Sequence, residues 1–263
     1  MGTMYRRRVF ALSLGDWLDP KVPIEWLARM LDIIRRCEHL DFLLVTKRPE
    51  LFEDRLYRGV AAWLNYKDER PLTSEEWAFA AWLSQWLHGK PPQNVWIVVS
   101  AENQEMADLR LPQLLKIPAL IRGLSCEPLL GPLDLSMALE DFQPLNPDLA
   151  RKASPVQWII VGGESGPKAR PCKVEWIRSI KSQCEAAGVA CFVKQLGSDP
   201  RQDLSAVIPE ADITDPELEP ADIGAWEAHR HAAQMFLKHS KGGDPAEWSN
   251  DLRVREFPEV KRL

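Results

Sequence analysis

The sequence predicts an α/β fold: a mostly parallel sheet of about six strands, with a helical insertion and a C-terminal helical extension. Three observations carry this. Six short apolar runs recur along the chain, alternating with helical periodicity or loop crossovers, which is the pattern of a parallel sheet. Each run ends in polar residues. The central run, Trp158-Ile159-Ile160-Val161, is unbroken and leads into Gly162-Gly163-Glu164-Ser165-Gly166. That is expected of a strand buried on both faces whose backbone then turns sharply.

The elements follow in order. Val9 to Leu12 form the first run, ending in Ser13-Leu14-Gly15-Asp16. After Pro23, Trp26, Leu27, Met30, Leu31 and Ile34 recur at helical spacing. Phe42 to Val45 form the second run, closed by Thr46-Lys47-Arg48-Pro49, where the proline holds the preceding residue extended. Residues 50–92 read as a helical insertion. Within it Thr73-Ser74-Glu75-Glu76 has the form of a capping box. The helix it opens carries Trp77, Ala81, Trp82 and Trp86, an aromatic stripe expected in the core rather than on a lid or partner surface.

Val95 to Val99 form the third run, ending in Ser100-Ala101-Glu102-Asn103 before a helix over 104–116. A weaker run over 120–124 ends in Ser125-Cys126-Glu127-Pro128, and a Pro- and Leu-rich loop runs on to Pro155. After the central run, Trp176, Ile177, Ile180 and Cys184 share one face of a helix over 174–187, with Gly188 as its stop. Val189 to Val193 form the sixth run, before Lys194-Gln195-Leu196-Gly197. From Asp199 to Asp222 there are eight acidic residues, one basic residue and four prolines, an irregular acidic linker. A helix near 222–239 and a tail follow. The chain thus divides into a sheet-based unit over 1–198 and an extension over 199–263.

With 263 residues, 45% of them hydrophobic, the chain suits one large domain, or one with an appendage. A net charge of -5 excludes a broadly basic nucleic-acid binder; such binding needs a local basic patch. No apolar run approaches the length of a membrane span and no signal core follows the N-terminal arginines, so a cytoplasmic protein is expected. The five cysteines are widely spread with no C-x-x-C pair, which predicts free thiols. His229 and His231, two apart, do not share a helix face, and no metal site is assigned.

In a parallel sheet all strand ends lie on one face. The candidate ligand-binding rim is therefore Ser13, Asp16, Thr46, Lys47, Arg48, Ser100, Glu102, Asn103, Glu127, Gly162, Gly163, Glu164, Ser165, Lys194 and Gln195. Solvated strand ends are often polar, but three glutamates, two lysines and an arginine exceed what turn chemistry requires. Lys47, Arg48 and Lys194 suit a carboxylate or phosphate. Glu102, Glu127 and Glu164 suit amino or ribose groups, or acid–base work. Glu164 and Lys194, which follow consecutive strands, are expected to act as a pair. No nucleophile elbow, Walker loop or dinucleotide fingerprint occurs, so no catalytic residue is assigned.

The stretches LLVTKRPELF, NVWIVVSAENQEMADLRLPQLLKIPA, LSCEPLLGPLDL, WIIVGGESGPKARP, CFVKQLG and DLRVREFP closely resemble a phage and prophage family of unknown function. It is known as the gene-product thirty-seven/sixty-eight family, or the three-Cys-motif proteins. The resemblance runs from about Val9 to Pro258 and implies a radical S-adenosylmethionine-like partial (β/α) barrel. Through the family's N-terminal cysteine segment it also implies an iron–sulfur cluster and S-adenosylmethionine. This sequence starts at the second strand of that pattern, and none of its five cysteines has a substituting spacing. Such a cluster needs clustered thiolates, so the chain is expected to be truncated or cluster-free. Gly162-Gly163-Glu164 is not the amino-group-binding motif of radical enzymes, lying four strands too late.

Three readings follow. The first is a radical-type barrel acting on a nucleotide or nucleic acid. The second is a non-catalytic protein that uses the same rim for a ligand or a protein encoded nearby. The third, weaker, is a metal-dependent nuclease built on Asp16, Glu102, Glu127 and Glu164.

Overall fold

The computed structural model describes residues 6–12, 15–64, 71–139, 155–202, 235 and 237–260. The elements are β1 (Arg7–Ala11), α1 (Ile24–Arg36), β2 (Leu40–Thr46), α2 (Phe52–Leu64), α3 (Ser74–Leu87), β3 (Val95–Ser100), α4 (Gln104–Lys116), β4 (Ile121–Cys126), α5 (Ser136–Leu139), β5 (Trp158–Gly162), β6 (Cys172–Lys173), α6 (Val174–Ala187), β7 (Ala190–Gln195) and β8 (Pro200–Arg201). Six strands form one sheet in the order β1-β2-β3-β4-β5-β7, and every neighbouring pair is parallel. Because sequence order equals spatial order, successive crossovers wind in one sense, and the sheet curls into half a barrel. The predicted α/β partial barrel is the observed fold.

Strand alternation separates two cores. On the outer face Phe42, Leu44, Val95, Ile97, Val99, Leu124, Ile159, Val161 and Val193 pack against helix residues such as Leu31, Phe52, Leu111 and Ile177. On the concave face Leu43, Trp96, Val98, Ile121, Trp158 and Ile160 form a second cluster with Val45, Ala190 and Phe192. The central strands are thus buried on both sides, which is why they read as unbroken apolar runs.

The C-terminal tail completes the concave core. Val193 N–H donates to Val254 O and Glu256 N–H to Cys191 O, both at 2.8 Å, so the tail runs antiparallel along the edge of β7. Phe257 then enters the concave side, 5.2 Å from both Trp158 and Phe192 between ring centroids. The Arg8 guanidinium of β1 lies 3.9 Å from the centroid of that ring. First and last strands are therefore joined across the lower end of the half-barrel by one aromatic ring and one cation.

In the insertion, Thr73 Oγ1 accepts from Glu76 N and Glu76 Oε2 accepts from Thr73 N, the predicted capping box. Phe52, Phe79 and Trp86 are buried in the core with the half-buried Trp82 against them, Phe79–Trp82 stacked and Phe52–Trp86 and Trp82–Trp86 edge-on. Trp77 is 61% exposed and, like the exposed Ala81, does not join them. It sits five residues before Trp82, about 140° around the helix at 3.6 residues per turn.

The loop expected between Pro128 and Pro155 contains the single-turn α5, and its residues 140–154 lie outside the described residues. Most of the acidic linker and of the helix expected over 222–239 does too, while the described residues 237–239 are not helical.

Candidate functional site

The register places a polar surface on the upper half of the concave face. Ser100 pairs with Ser125, Ser125 with Ile160 and Ile160 with Phe192. Two residues further along the chain come Gly162 and Lys194, at the ends of β5 and β7 where the register shifts by a bulge, and Glu102 and Glu127, just past the ends of β3 and β4. Lys47 follows Val45 of the concave cluster in the same way.

These side chains pair. Lys194 Nζ lies 3.0 Å from Glu127 Oε2. Burial pushes the Glu127 carboxyl above its ordinary pKa by more than Lys194 and Ser125 pull it down. Its other oxygen, Oε1, is buried with no hydrogen-bond partner among the described residues. Lys47 Nζ lies 3.4 Å from Glu102 Oε1, and Arg110 of α4 donates to Glu102 Oε2 at 2.8 Å. Burial would raise the Glu102 carboxyl, but a backbone hydrogen bond, Arg110 and Lys47 together hold it below the usual range.

Glu164 and Lys194 do not pair. Arg170 grips Glu164 with two side-chain bonds of 2.8 and 2.9 Å and with its backbone N–H at 2.9 Å. The Arg170 side chain, then its backbone N–H, lower the Glu164 carboxyl to about 2. Lys194 belongs to Glu127 instead, because Gly162 on the intervening strand leaves the room that Glu127 fills.

The rest of the predicted rim divides by role. Asp16 accepts from Leu18 N, Thr46 Oγ1, Lys47 N and Arg48 Nη1 at 2.9, 2.8, 2.7 and 3.2 Å. Arg48 also reaches Asp19 at 3.0 Å. Asp16, Thr46 and Arg48 thus tie the β1–α1 loop to the end of β2. Asn103 caps α4 by accepting from Met106 N at 2.9 Å. Gln195 donates to Gly163 O at 2.8 Å. A Cβ on Gly163 would collide with the Leu196 carbonyl. Ser165 is exposed, and Ser13 lies outside the described residues.

Lys47, Ser100, Glu102, Glu127, Gly162 and Lys194 remain on the concave face. Sequence reasoning missed Arg110 and Arg170. Arg110 had a signal, since a helix following a strand end returns a basic residue toward the acid that begins it. Arg170 sits in a loop with no period to reveal it.

The cysteines stand apart from the candidate rim. Cys126, Cys172, Cys184 and Cys191 are buried in the outer core, away from the concave rim. Burial raises the Cys126 thiol and lifts Cys172 to about 12, which disfavours the thiolates a cluster needs. Among the described residues no three His, Cys, Asp or Glu side chains stand together as a metal site, and no helix is long and apolar enough to cross a membrane.

The model of a protein family of unknown function, DUF5131, matches residues 3–242, a span that takes in the whole half-barrel and its rim. The chain belongs to the DUF5131 family. No curated protein and no solved structure matches it. The DUF5131 family carries no assigned activity.

Proposed function

We propose that this DUF5131 protein is a cytoplasmic protein of the phage and prophage gene-product thirty-seven/sixty-eight type, with a radical S-adenosylmethionine-like barrel whose concave rim binds a nucleotide or nucleic acid. One observation carries the site. Glu127 is a buried carboxyl with one oxygen unpartnered and the other held by Lys194, at the carboxyl end of a parallel sheet. A raised pKa in such an acid suits a group that exchanges a proton with a ligand. Lys47 and Lys194 supply donors for an anionic group, and Glu102 and Glu127 supply acceptors for amino or hydroxyl groups.

The position of the cysteines favours a second reading for this chain, a binding protein that works without a cluster.

A thermal-shift and calorimetry panel of S-adenosylmethionine, nucleosides and nucleotides tests the rim. At least one member should raise the melting temperature of the wild type and leave Glu127→Gln and Lys194→Met unmoved. A ligand that binds both variants as tightly as the wild type places the site elsewhere. Anaerobic reconstitution with iron and sulfide should yield no stoichiometric cluster on these cysteines; a full complement of iron would overturn the cluster-free reading.

A further inference from the structure

Resting on that rim reading, we infer that the concave face takes a phosphorylated nucleoside, free or within a single strand, with phosphate at the Lys47–Arg170–Lys194 rim and the base against Phe10. The first observation is the order of charges by depth. Lys47, Arg170 and Lys194 are 49%, 57% and 54% exposed, while the carboxylates beneath them, Glu102, Glu164 and Glu127, are 17%, 29% and 14% exposed. Formally the six groups cancel. A ligand descending on the rim nevertheless meets the cations first, and each keeps unused N–H donors directed at solvent. Arg170 also senses the Glu102 charge.

The second observation is independent of the first. Phe10 pairs in register with Leu43, a member of the concave cluster, so its ring stands on the concave face. It is 48% exposed, and Arg8 stands two residues before it on the same face. A half-exposed ring between Arg8 below and Lys47 above is the arrangement that stacks a base while cations follow its phosphates. A ligand bearing only a carboxylate would use the rim and leave Phe10 idle. The overall charge of -5 confines such binding to this local patch.

The test is fluorescence anisotropy with a labelled oligothymidylate of about ten nucleotides, with thymidine monophosphate, thymidine and inorganic phosphate as competitors. Binding should weaken as salt rises, and thymidine should compete at least about tenfold less well than its monophosphate. The double variant Lys47→Ala/Lys194→Ala should lose about tenfold or more. Phe10→Ala should lose about tenfold, whereas Phe10→Tyr, which keeps a ring, should bind nearly as the wild type. Displacement by the monophosphate assigns a free nucleotide; binding that only unlabelled oligonucleotide displaces assigns a single strand, and both uphold the inference. Thymidine binding that Glu127→Gln abolishes but phosphate does not improve sinks the inference and leaves the rim reading standing. A folded wild type that binds no member of either panel sinks both.

Discussion

A Cβ added to Gly162 would stand 2.6 Å from Glu127 Oε1 and 2.9 Å from the carbonyl oxygen of Gln195. The glycine on β5 and the glutamate after β4 are two halves of one packing solution. The carboxylate side chain could swing aside, but the Gln195 oxygen is backbone on β7 and yields only if the strands part. Gly162→Ala should therefore lower stability by about 1–3 kcal/mol, read as a fall in the urea midpoint at unchanged slope. It should also free Lys194 from Glu127. A variant as stable as the wild type would show that β5 and β7 are further apart at this level.

The glutamates titrate in opposite senses. Glu102 and Glu164 have folded pKa values below the ordinary one, Glu164 at about 2. Between that value and the ordinary range the unfolded chain binds more protons, so their contribution is present above the ordinary pKa and lost as acid is added. Glu127 is raised. In the window above the ordinary carboxyl pKa the folded chain holds the extra proton, so its contribution is present in acid and lost as pH rises through its folded pKa. Glu164→Gln should flatten the acid limb of a stability–pH curve. Glu127→Gln should gain on the wild type as pH climbs above the ordinary carboxyl range. Parallel curves for all three proteins would contradict these assignments.

The fold was legible because its determinants are local and periodic. Six apolar runs, the capping box at Thr73 and the Gly188 stop each sit within a few residues of the element they define. The rim was legible only as a set of strand ends. Which acid meets which base depends on strand order and on the two faces of the pleat. Asp16 and Thr46 came out as structural because Thr46 points to the outer face while Lys47 points inward. The Glu164–Arg170 grip was hidden because a loop of irregular backbone closes it. The tail was hidden because the seat of Phe257, between Trp158 and Phe192, is built from residues about 65 to 99 positions away.

Asp16 separates stability from binding. It accepts four hydrogen bonds and is 14% exposed. Asp16→Ala leaves Thr46 Oγ1 and the Lys47 N–H without that partner and, among the described residues, Arg48 with Asp19 alone, so a loss of about 2–4 kcal/mol is expected. Affinity at the concave rim, measured well below the lowered melting temperature, should fall less than in Lys194→Met, since Asp16 holds the backbone N–H of Lys47 and not its ammonium group. An unchanged melting temperature with abolished binding would return Asp16 to the ligand site.

Phe257 is the keystone of the lower concave face. Its ring meets Trp158 and Phe192, and the Arg8 guanidinium covers it at 3.9 Å. Trp158 Nε1 is anchored in turn by the Glu256 carbonyl at 2.9 Å. Each aromatic pair contributes about 0.5–1.5 kcal/mol beyond burial, and the cation adds about 0.5–1 kcal/mol at a partly exposed site. Phe257 is itself 38% exposed, so Phe257→Ala should cost about 1–3 kcal/mol rather than the full penalty of a buried aromatic. Water should then reach Trp158 and shift tryptophan emission to the red. Arg8→Ala should lose the cation term alone, with little change in emission. The double variant should lose less than the sum of the two singles, because removing the ring already removes what Arg8 rests on. Strict additivity would mean that Arg8 and Phe257 do not touch in solution, and that the tail does not join the first strand to the last.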